Sequence, residues 1–377
     1  MRLRILFLLS LAWLAACGEK DALLAPAPLP AFEPAAKIVR LWSVDTGAGA
    51  AVAGLRLVPA VTGDAVYVVD VRGRVSARAR ADGHELWRRN TGEAFSAGPV
   101  AGYGQLFAGT REGELVAMSA TDGTVVWRAQ LTGEVLAPPA LDGDAVIVKS
   151  ADGRVTLFDR ASGAVRWVHD GGLPPLTLRA SSRPLLLPDA AIVGLSSGVL
   201  LALERAGGQV IWERRVAEPA GKSELDRLVD IAGDFLLIGD RLHAASYQGS
   251  IVAMDLRSGQ FEWQQPVSTF QPLAAGDGNI YVVDADSHIV AYRASDGVVV
   301  WRLESLRGRQ VAGAAVTGSL LLVGDYQGWV HVIRQIDGMI VARLRVDRAG
   351  IATAPVVDEG TVFVLGQGGR LAALKVE

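Results

Sequence analysis

The sequence predicts an all-β fold, a single eight-bladed β-propeller built from four-stranded antiparallel blades. Three observations lead to it. Glycine is abundant, at 43 of 377 residues, and valine, leucine and alanine dominate the apolar set, which is typical of many short strands joined by tight turns. A glycine–tryptophan pattern recurs at nearly regular intervals, and an incomplete copy of the pattern stands at each end of the chain.

The repeat unit contains two turns and one strand at constant spacing. In seven segments a turn glycine stands four residues before one position, which is tryptophan in all but the last. These pairs are Gly83–Trp87, Gly123–Trp127, Gly163–Trp167, Gly208–Trp212, Gly259–Trp263, Gly297–Trp301 and Gly338–Ala342. A second turn lies 14 residues before that position in every copy, at Gly73, Gly113, Gly153, Gly198, Gly249, Ser287 and Gly328.

The constant spacing has a physical cause. A strand that is paired in register cannot gain or lose one residue without turning its apolar face outward, and glycine supplies the positive φ that tight turns need. Successive copies lie 38 to 51 residues apart, and all of this variation falls outside the 14-residue unit. Each repeat is therefore predicted to be a small antiparallel sheet, and a period of roughly 40 residues is typical of propeller blades.

The eighth blade is predicted to form from both ends of the chain. The C-terminal segment VFVLGQGGRLAALKV contains two strands around Gly369, and the segment KIVRLWSVDTG near the N-terminus supplies the missing outer strand. Ile38 stands where the turn glycine would be, because no turn is needed across a chain break. Pairing of the ends closes the ring and removes an exposed sheet edge, so the propeller is predicted to span residues 37–377.

The repeated tryptophans are predicted to be structural. A large ring that recurs at one blade position is expected to pack between neighbouring blades, and separate chemistry at each ring is not credible. The tryptophans concerned are Trp42, Trp87, Trp127, Trp167, Trp212, Trp263 and Trp301.

The N-terminus is predicted to be a lipoprotein signal peptide, residues 1–16. Arg2 and Arg4 precede a twelve-residue apolar run that ends at Ala16, and twelve residues are too few to span a bilayer. The residues Leu-Ala-Ala before Cys17 resemble the bacterial lipobox, in which the cysteine is lipidated. An ordinary signal peptide or a chance buried cysteine are the alternatives. Residues 17–36 are predicted to be the lipidated cysteine and an Ala/Pro-rich tether that does not pack against a core. In bacterial lipoproteins, Asp directly after the cysteine favours retention in the inner membrane. Gly18 at this position therefore favours the outer membrane.

Several function classes lack support in the sequence. A net charge of −3 gives no electrostatic reason to expect nucleic-acid binding. The five histidines are scattered, without metal-ligand spacing. The hydrolase-like G-x-S-x-G at 194–198 falls on a blade turn with no helix predicted after it. Asp284, Asp286 and His288 begin like a calcium loop, but the twelfth position is Ser295 rather than Glu. No catalytic residue, metal or cofactor is therefore predicted.

The repeat is similar to a known family. The pattern A-x-D-x-x-[ST]-G-x-x-x-W, clearest from Ala253 to Trp263, resembles the repeat of PQQ-type propellers. One branch comprises quinoprotein dehydrogenases, which commonly use a disulfide between adjacent cysteines and a calcium ion at the cofactor site. The only cysteine here is Cys17. The other branch is the BamB family, lipoproteins of the outer-membrane β-barrel assembly (BAM) machinery, which the lipobox, tether and short blades resemble more closely.

The BamB resemblance implies a partner-binding site on two long interblade segments. Residues 173–184 (LPPLTLRASSRP) and 222–234 (KSELDRLVDIAGD) join consecutive blades, so both are expected on one face. The resemblance assigns Leu176, Leu178, Arg179 and Asp230 to contact with the POTRA domains of BamA. Ala232 stands where the family often has a second acid, with Asp234 as the possible substitute. The alternative is that the leucines cover a blade edge and that Arg179 pairs internally with Asp230.

The resemblance therefore implies a non-enzymatic scaffold lipoprotein on the periplasmic side of the outer membrane. Its partners would be BamA, other members of the BAM complex and nascent outer-membrane proteins, which an open blade edge could bind. A periplasmic quinoprotein-like enzyme or ligand-binding propeller is the alternative. A propeller lipoprotein that serves another envelope complex is a third reading.

Overall fold

The computed structural model describes residues 25–50 and 54–377. The predicted signal peptide and Cys17 lie outside these ranges. Within them the regular structure consists of β-strands alone, arranged as eight sheets, which confirms the predicted eight-bladed β-propeller. The described ranges contain no helix with the length and apolar character needed to cross a membrane.

The strands follow one another along the chain in blade order. Two strands precede the first complete blade: β1 (Ile38–Asp45) and β2 (Arg56–Leu57). Blade 1 contains β3 (Ala60–Thr62), β4 (Ala65–Val69), β5 (Arg74–Ala79) and β6 (Glu85–Asn90). Blade 2 contains β7 (Phe95–Gly102), β8 (Gln105–Thr110), β9 (Glu114–Ser119) and β10 (Val125–Gln130), with β2 added in parallel to β7. Blade 3 contains β11 (Ala140–Leu141), β12 (Ala145–Lys149), β13 (Arg154–Asp159) and β14 (Val165–Asp170).

The remaining blades repeat the same order. Blade 4 contains β15 (Leu185–Leu186), β16 (Ala190–Gly194), β17 (Val199–Glu204) and β18 (Val210–Arg215). Blade 5 contains β19 (Leu236–Ile238), β20 (Arg241–Ala245), β21 (Gly249–Asp255) and β22 (Phe261–Val267). Blade 6 contains β23 (Ala274–Gly276), β24 (Asn279–Val283), β25 (Ile289–Arg293) and β26 (Val299–Leu303). Blade 7 contains β27 (Ala315–Thr317), β28 (Leu320–Gly324), β29 (Trp329–Arg334) and β30 (Ile340–Arg345).

Blade 8 closes the ring with both ends of the chain. It contains β31 (Val356–Asp358), β32 (Thr361–Leu365), β33 (Arg370–Val376) and, as its outer strand, β1. The register between β1 and β33 pairs Ile38 with Val376 and Asp45 with Arg370. This pairing hydrogen-bonds what would otherwise be two open strand edges, so the last blade is held from both ends of the chain.

Burial follows the strand position within each blade. The second and third strands are almost wholly buried, as in β12 and β13, whereas the fourth strands are mostly exposed, as in β6. The apolar core therefore lies between successive blades, where eight clusters of buried valine, leucine, isoleucine and alanine form. The first strands surround the propeller axis, where Val61, Val100 and Val356 line a central cavity.

The seven tryptophans bind blades at seven of the eight junctions, all except that between blades 7 and 8. Each indole Nε1 donates a hydrogen bond of 2.7–3.1 Å to a backbone carbonyl in the turn before the outer strand of the following blade. The glycine of that same turn faces the ring, and a Cβ there would lie within 3.0 Å of ring carbons. Glycine is thus required at these turns for two reasons, its positive φ and the ring of the preceding blade.

The turn between the second and third strands of each blade was predicted to have positive φ at its glycine, and this prediction needs one correction. Most of its glycines have positive φ, as expected. Ser287 adopts the same conformation with φ of +71°. In blade 5, however, the positive φ falls on Gln248, at +48°, rather than on Gly249.

The described part of the tether packs against the propeller. The backbone N–H of Ala27 donates to Arg307 O at 2.9 Å, and Arg343 donates to Pro30 O at 2.7 Å. The ring of Phe32 packs on the core cluster of blades 6 and 7 and lies beneath the Arg343 guanidinium, 4.9 Å from its centre. This corrects the expectation that the segment does not pack against a core. We call residues 25–36 the N-terminal strap.

A buried charged cluster holds the start of this strap. Arg309 donates to Asp325 Oδ2 at 2.6 and 2.9 Å and to the carbonyl of Ala27 at 2.9 Å. His331 Nε2 lies 3.1 Å from the same Asp325 oxygen. The side chains of Asp325 and His331 are fully buried and that of Arg309 nearly so. The hydrogen bonds and ion pairs among them therefore have to offset the free-energy cost of removing these groups from water.

Candidate functional site

The two long interblade segments lie side by side on one face of the propeller. The first connects β14 to β15 and the second connects β18 to β19. Their inner parts are bonded, since Arg183 N donates to Asp234 Oδ1 at 2.7 Å. Ile231 also packs against the end of β16, at Gly194, beside the hydroxyl of Ser182. The segments therefore form one continuous surface rather than two separate loops.

The outer parts of both segments expose apolar side chains. Leu176 is 39% exposed and Leu173 is 53% exposed on the first segment, and Leu225 is 70% exposed on the second. Leu178 is half-buried and reaches toward the central cavity. Leu173 and Leu225 were not among the residues predicted from the sequence. The available signal was an apolar residue in an interblade connection, outside the alternation that explains apolar residues in strands.

Arg179 stands at the rim of this surface with its own acidic partner. Its side chain is 44% exposed, and Nη2 donates to Glu134 Oε1 at 2.5 Å. Glu134 comes from the preceding interblade connection, between β10 and β11. The alternative expectation of an Arg179–Asp230 pair is therefore wrong. An exposed ion pair of this kind contributes little to stability, so the guanidinium can exchange partners at small cost.

Asp230 lies in the interior, which corrects the expectation that it contacts a partner directly. It is fully buried, and neither carboxylate oxygen has a hydrogen-bond partner of normal geometry among the described residues. Burial raises the pKa of Asp230 to about 6, against the opposing influence of the nearby Lys149 ammonium. Lys149 is itself buried and donates to the carbonyl of Gly194. Its backbone, rather than its carboxylate, fixes the second segment, because the Tyr247 N–H donates to Asp230 O at 2.8 Å.

Neither position 232 nor Asp234 supplies a free acid to the surface. Ala232 is buried. Both oxygens of Asp234 accept hydrogen bonds from the Arg56 guanidinium, each at 2.7 Å, and this planar, two-bond arrangement is the strongest that the two groups can form. Asp234 consequently does not replace the acid that is missing at Ala232.

The remaining motifs from the sequence are parts of turns. Ser196 lies in the turn between β16 and β17, so a strand follows it rather than a helix. The ligand atoms of Asp284, Asp286 and His288 lie within 4.8 Å of one another. However, Asp284 Oδ1 accepts the backbone N–H groups of Asp286 and His288, and Oδ2 lies 2.9 Å from His288 Nδ1. These contacts are those of a capped turn, and we assign no ion to them.

Comparison with known families identifies a match to nearly the whole described chain. The model for a family described as outer membrane protein assembly factor BamB matches residues 31–91, 71–303 and 285–377. The chain is 38% identical to the outer membrane protein assembly factor BamB of Pseudomonas aeruginosa, over 98% of both chains. It is 32% identical to that of Shewanella oneidensis, over 97% of this chain and 96% of the other.

Solved structures separate family from fold. The crystal structure of BamB from Moraxella catarrhalis has a TM-score of 0.83 with 25% identity and covers 90% of this chain and 100% of its own. A europium-containing methanol dehydrogenase has a TM-score of 0.74 with 15% identity, over 90% of this chain and 93% of its own. At that level of identity the second likeness shows the propeller fold alone.

Proposed function

Because the chain belongs to the BamB family of outer membrane protein assembly factors, we propose that it is a non-enzymatic scaffold of the BAM machinery. It would work as a lipoprotein on the periplasmic side of the outer membrane and would bind BamA. The observation that carries the proposal is the surface formed by the two interblade segments, where Leu173, Leu176 and Leu225 are exposed beside Arg179.

The chemistry of this surface suits a protein partner. Exposed leucines on loops fixed to a rigid scaffold can insert into a groove and gain the free energy of apolar burial on binding. Arg179 can turn its planar guanidinium from Glu134 to a carboxylate or backbone carbonyl of the partner. Asp234 supports this surface from within, because it accepts the backbone N–H of Arg183 and so joins the second segment to the first.

The anchor proposed at Cys17 is compatible with the position of the strap. Pro26 lies against Gly308, which belongs to the connection between β26 and β27 and so to the face that carries the candidate surface. Only seven residues lie between Cys17 and Ala25, and the eight Cα–Cα steps that join them span at most about 29 Å. A lipid on Cys17 would therefore hold this face near the membrane, and a Cys17→Ser variant should leave the membrane fraction.

Co-purification with BamA from detergent-solubilised envelopes tests the interface. We expect Leu176→Asp and Leu225→Asp each to lower BamA recovery by about tenfold or more, because a charge in a desolvated apolar contact costs well over about 1.4 kcal/mol. Leu86→Asp is the matched control, since Leu86 is 47% exposed on the outer strand of blade 1. Thermal unfolding should be nearly unchanged in all three. Full BamA recovery with both loop variants would refute the proposed interface.

A charge exchange separates binding from internal pairing. Arg179→Glu places two carboxylates together, and the double variant Glu134→Arg with Arg179→Glu restores an ion pair in reverse. If Arg179 acts only within the chain, the double variant should recover BamA binding together with stability. If Arg179 binds BamA, the double variant should regain stability while BamA recovery stays low. Its arginine then lies at position 134, in the connection between β10 and β11, and not on the segment that carries the candidate surface.

Activity measurements test the non-enzymatic part of the proposal. The purified protein can be supplied with PQQ and calcium and assayed for alcohol oxidation with an artificial electron acceptor. We expect neither tight quinone binding nor turnover. Turnover that depends on added PQQ would favour the quinoprotein alternative instead.

A further inference from the structure

The propeller encloses a cavity of about 800 Å³ on its axis. Proline, valine and alanine make up half of the residues in the wall, and the prolines are Pro59, Pro99, Pro138, Pro272 and Pro355. The residues from loops belong to interblade connections or to turns between second and third strands, so the cavity opens on the face of the candidate surface. Its volume is within the range of small-ligand sites.

One cation in this wall has no carboxylate of its own. Arg183 lines the cavity, and its guanidinium forms no ion pair and no side-chain hydrogen bond with any residue in the described ranges. The nearby carboxylate, Asp234, has both oxygens bonded to Arg56. Burial lowers the pKa of Arg183, Asp234 acts in the opposite direction, and the charge of Arg56 adds to the lowering.

The other charged groups of the wall are already matched. Arg179 pairs with Glu134, and Asp284 accepts from its own turn and lies beside His288. Arg183 therefore contributes a positive charge that the described residues do not neutralise. Its guanidinium lies in the wall of an open cavity, and a carboxylate that enters the cavity can give it the charge-assisted hydrogen bonds that the described residues do not.

We propose that the axial cavity binds an organic carboxylate, with the carboxylate on Arg183 and the carbon skeleton against the proline and valine wall. The planar guanidinium can donate two parallel hydrogen bonds to one carboxylate group. One unmatched cation fits a monocarboxylate better than a polyacid. The acid could be a free small molecule or the C-terminal carboxylate of a peptide, which present the same group. Binding at this site does not require BamA.

Isothermal titration of the full-length protein in a non-ionic detergent tests the proposal. The probes are cyclohexanecarboxylate and the peptide N-acetyl-Ala-Val-Leu, each compared with its neutral primary amide. We expect saturable binding of at least one acid and binding of its amide weaker by about tenfold or more, as charge-assisted hydrogen bonds imply. The acid that binds more tightly identifies the source. Equal binding of acid and amide, or no saturable binding of either acid, would overturn the proposal.

Two arginine variants localise the effect. Arg183→Gln should weaken acid binding by about tenfold or more and leave stability without ligand equal or higher, because it removes an unmatched charge. Arg257→Gln should leave acid binding unchanged, since Arg257 is exposed in the turn between β21 and β22 on the opposite face. Retained acid affinity in Arg183→Gln would refute the assignment. A large loss of stability in that variant would do the same, because it would make Arg183 a structural residue.

Discussion

Two glycines of blade 6 allow the role of the tryptophan ring to be measured apart from backbone strain. Gly278 and Gly297 both have φ of +73°. A Cβ added at Gly278 would have no atom within 4 Å, whereas a Cβ at Gly297 would lie 2.5 Å from Cε3 of Trp263. Alanine at either position pays the cost of the left-handed backbone, about 1–2 kcal/mol. Only Gly297→Ala must also displace the ring of the preceding blade.

The expected difference between the two variants follows from that contact. Overpacking a well-filled interior costs about 1–3 kcal/mol, so Gly297→Ala should lose about 2–5 kcal/mol in total and Gly278→Ala about 1–2 kcal/mol. Urea unfolding monitored by far-UV circular dichroism gives both values, provided that the slope with denaturant is unchanged. A Trp263→Phe background should shrink the difference, since the smaller ring leaves room for the methyl group. Equal losses in the two alanine variants would refute the double role of this glycine.

Three further predictions concern buried groups and the strap. Asp325→Ala should lower the free energy of unfolding in a urea titration by about 3–5 kcal/mol, because it leaves a buried arginine and histidine without their carboxylate. Asp296→Ala is the control. It removes an exposed ion pair and should lower the free energy of unfolding by about 1 kcal/mol or less. Asp230 has its pKa raised from 3.8 to about 6, so its contribution is fully present below pH 3.8 and is lost as the pH rises through 6. The stability of the protein relative to Asp230→Asn should therefore fall by about 3 kcal/mol between pH 3.5 and 7 in urea titrations at each pH, and a flat difference would contradict the burial argument. Phe32→Ala should cost about 1–2 kcal/mol and speed limited proteolysis of the strap, because it removes packing and the cation–π contact with Arg343; unchanged cleavage would show that the ring does not hold the strap.

The fold could be predicted from the sequence because the distance between the turns of each repeat is constant. The interval between the two turns of each repeat cannot vary without reversing a strand, so seven equal intervals define seven blades. The departure at Ile38 identified the chain break in the eighth. The structure also explains why the repeat has alanine rather than tryptophan at position 342. The blade that follows Ala342 has no turn at the chain break, and the N–H groups of Ala35 and Ala36 bond to Val341 O there instead.

The site was less predictable because loops lack such a rule. The lengths of the two connections predicted where a surface would emerge, but no periodicity indicates which loop side chains turn inward. Asp230 was expected at the surface and is buried, while Leu225 was passed over and is 70% exposed. The partner of Arg179 comes from a residue 45 positions away in sequence. Such a contact depends on how consecutive blades are placed, which only the assembled ring defines.

The strap, the candidate surface and the mouth of the cavity share one face, and this has a consequence for how the protein can work. A chain anchored at Cys17 and bonded at Ala27 to Arg307 and Arg309 would have little freedom to turn this face away from the membrane. A partner that binds Leu176 and Arg179 would also stand over the cavity, because Leu178 and Arg179 lie in its wall. If the partner contacts residues 178–183, occupation of the cavity and binding at the surface are coupled through this stretch. A carboxylate on Arg183 should change BamA affinity if the partner contacts this stretch, and should leave it unchanged if the partner contacts only the outer leucines.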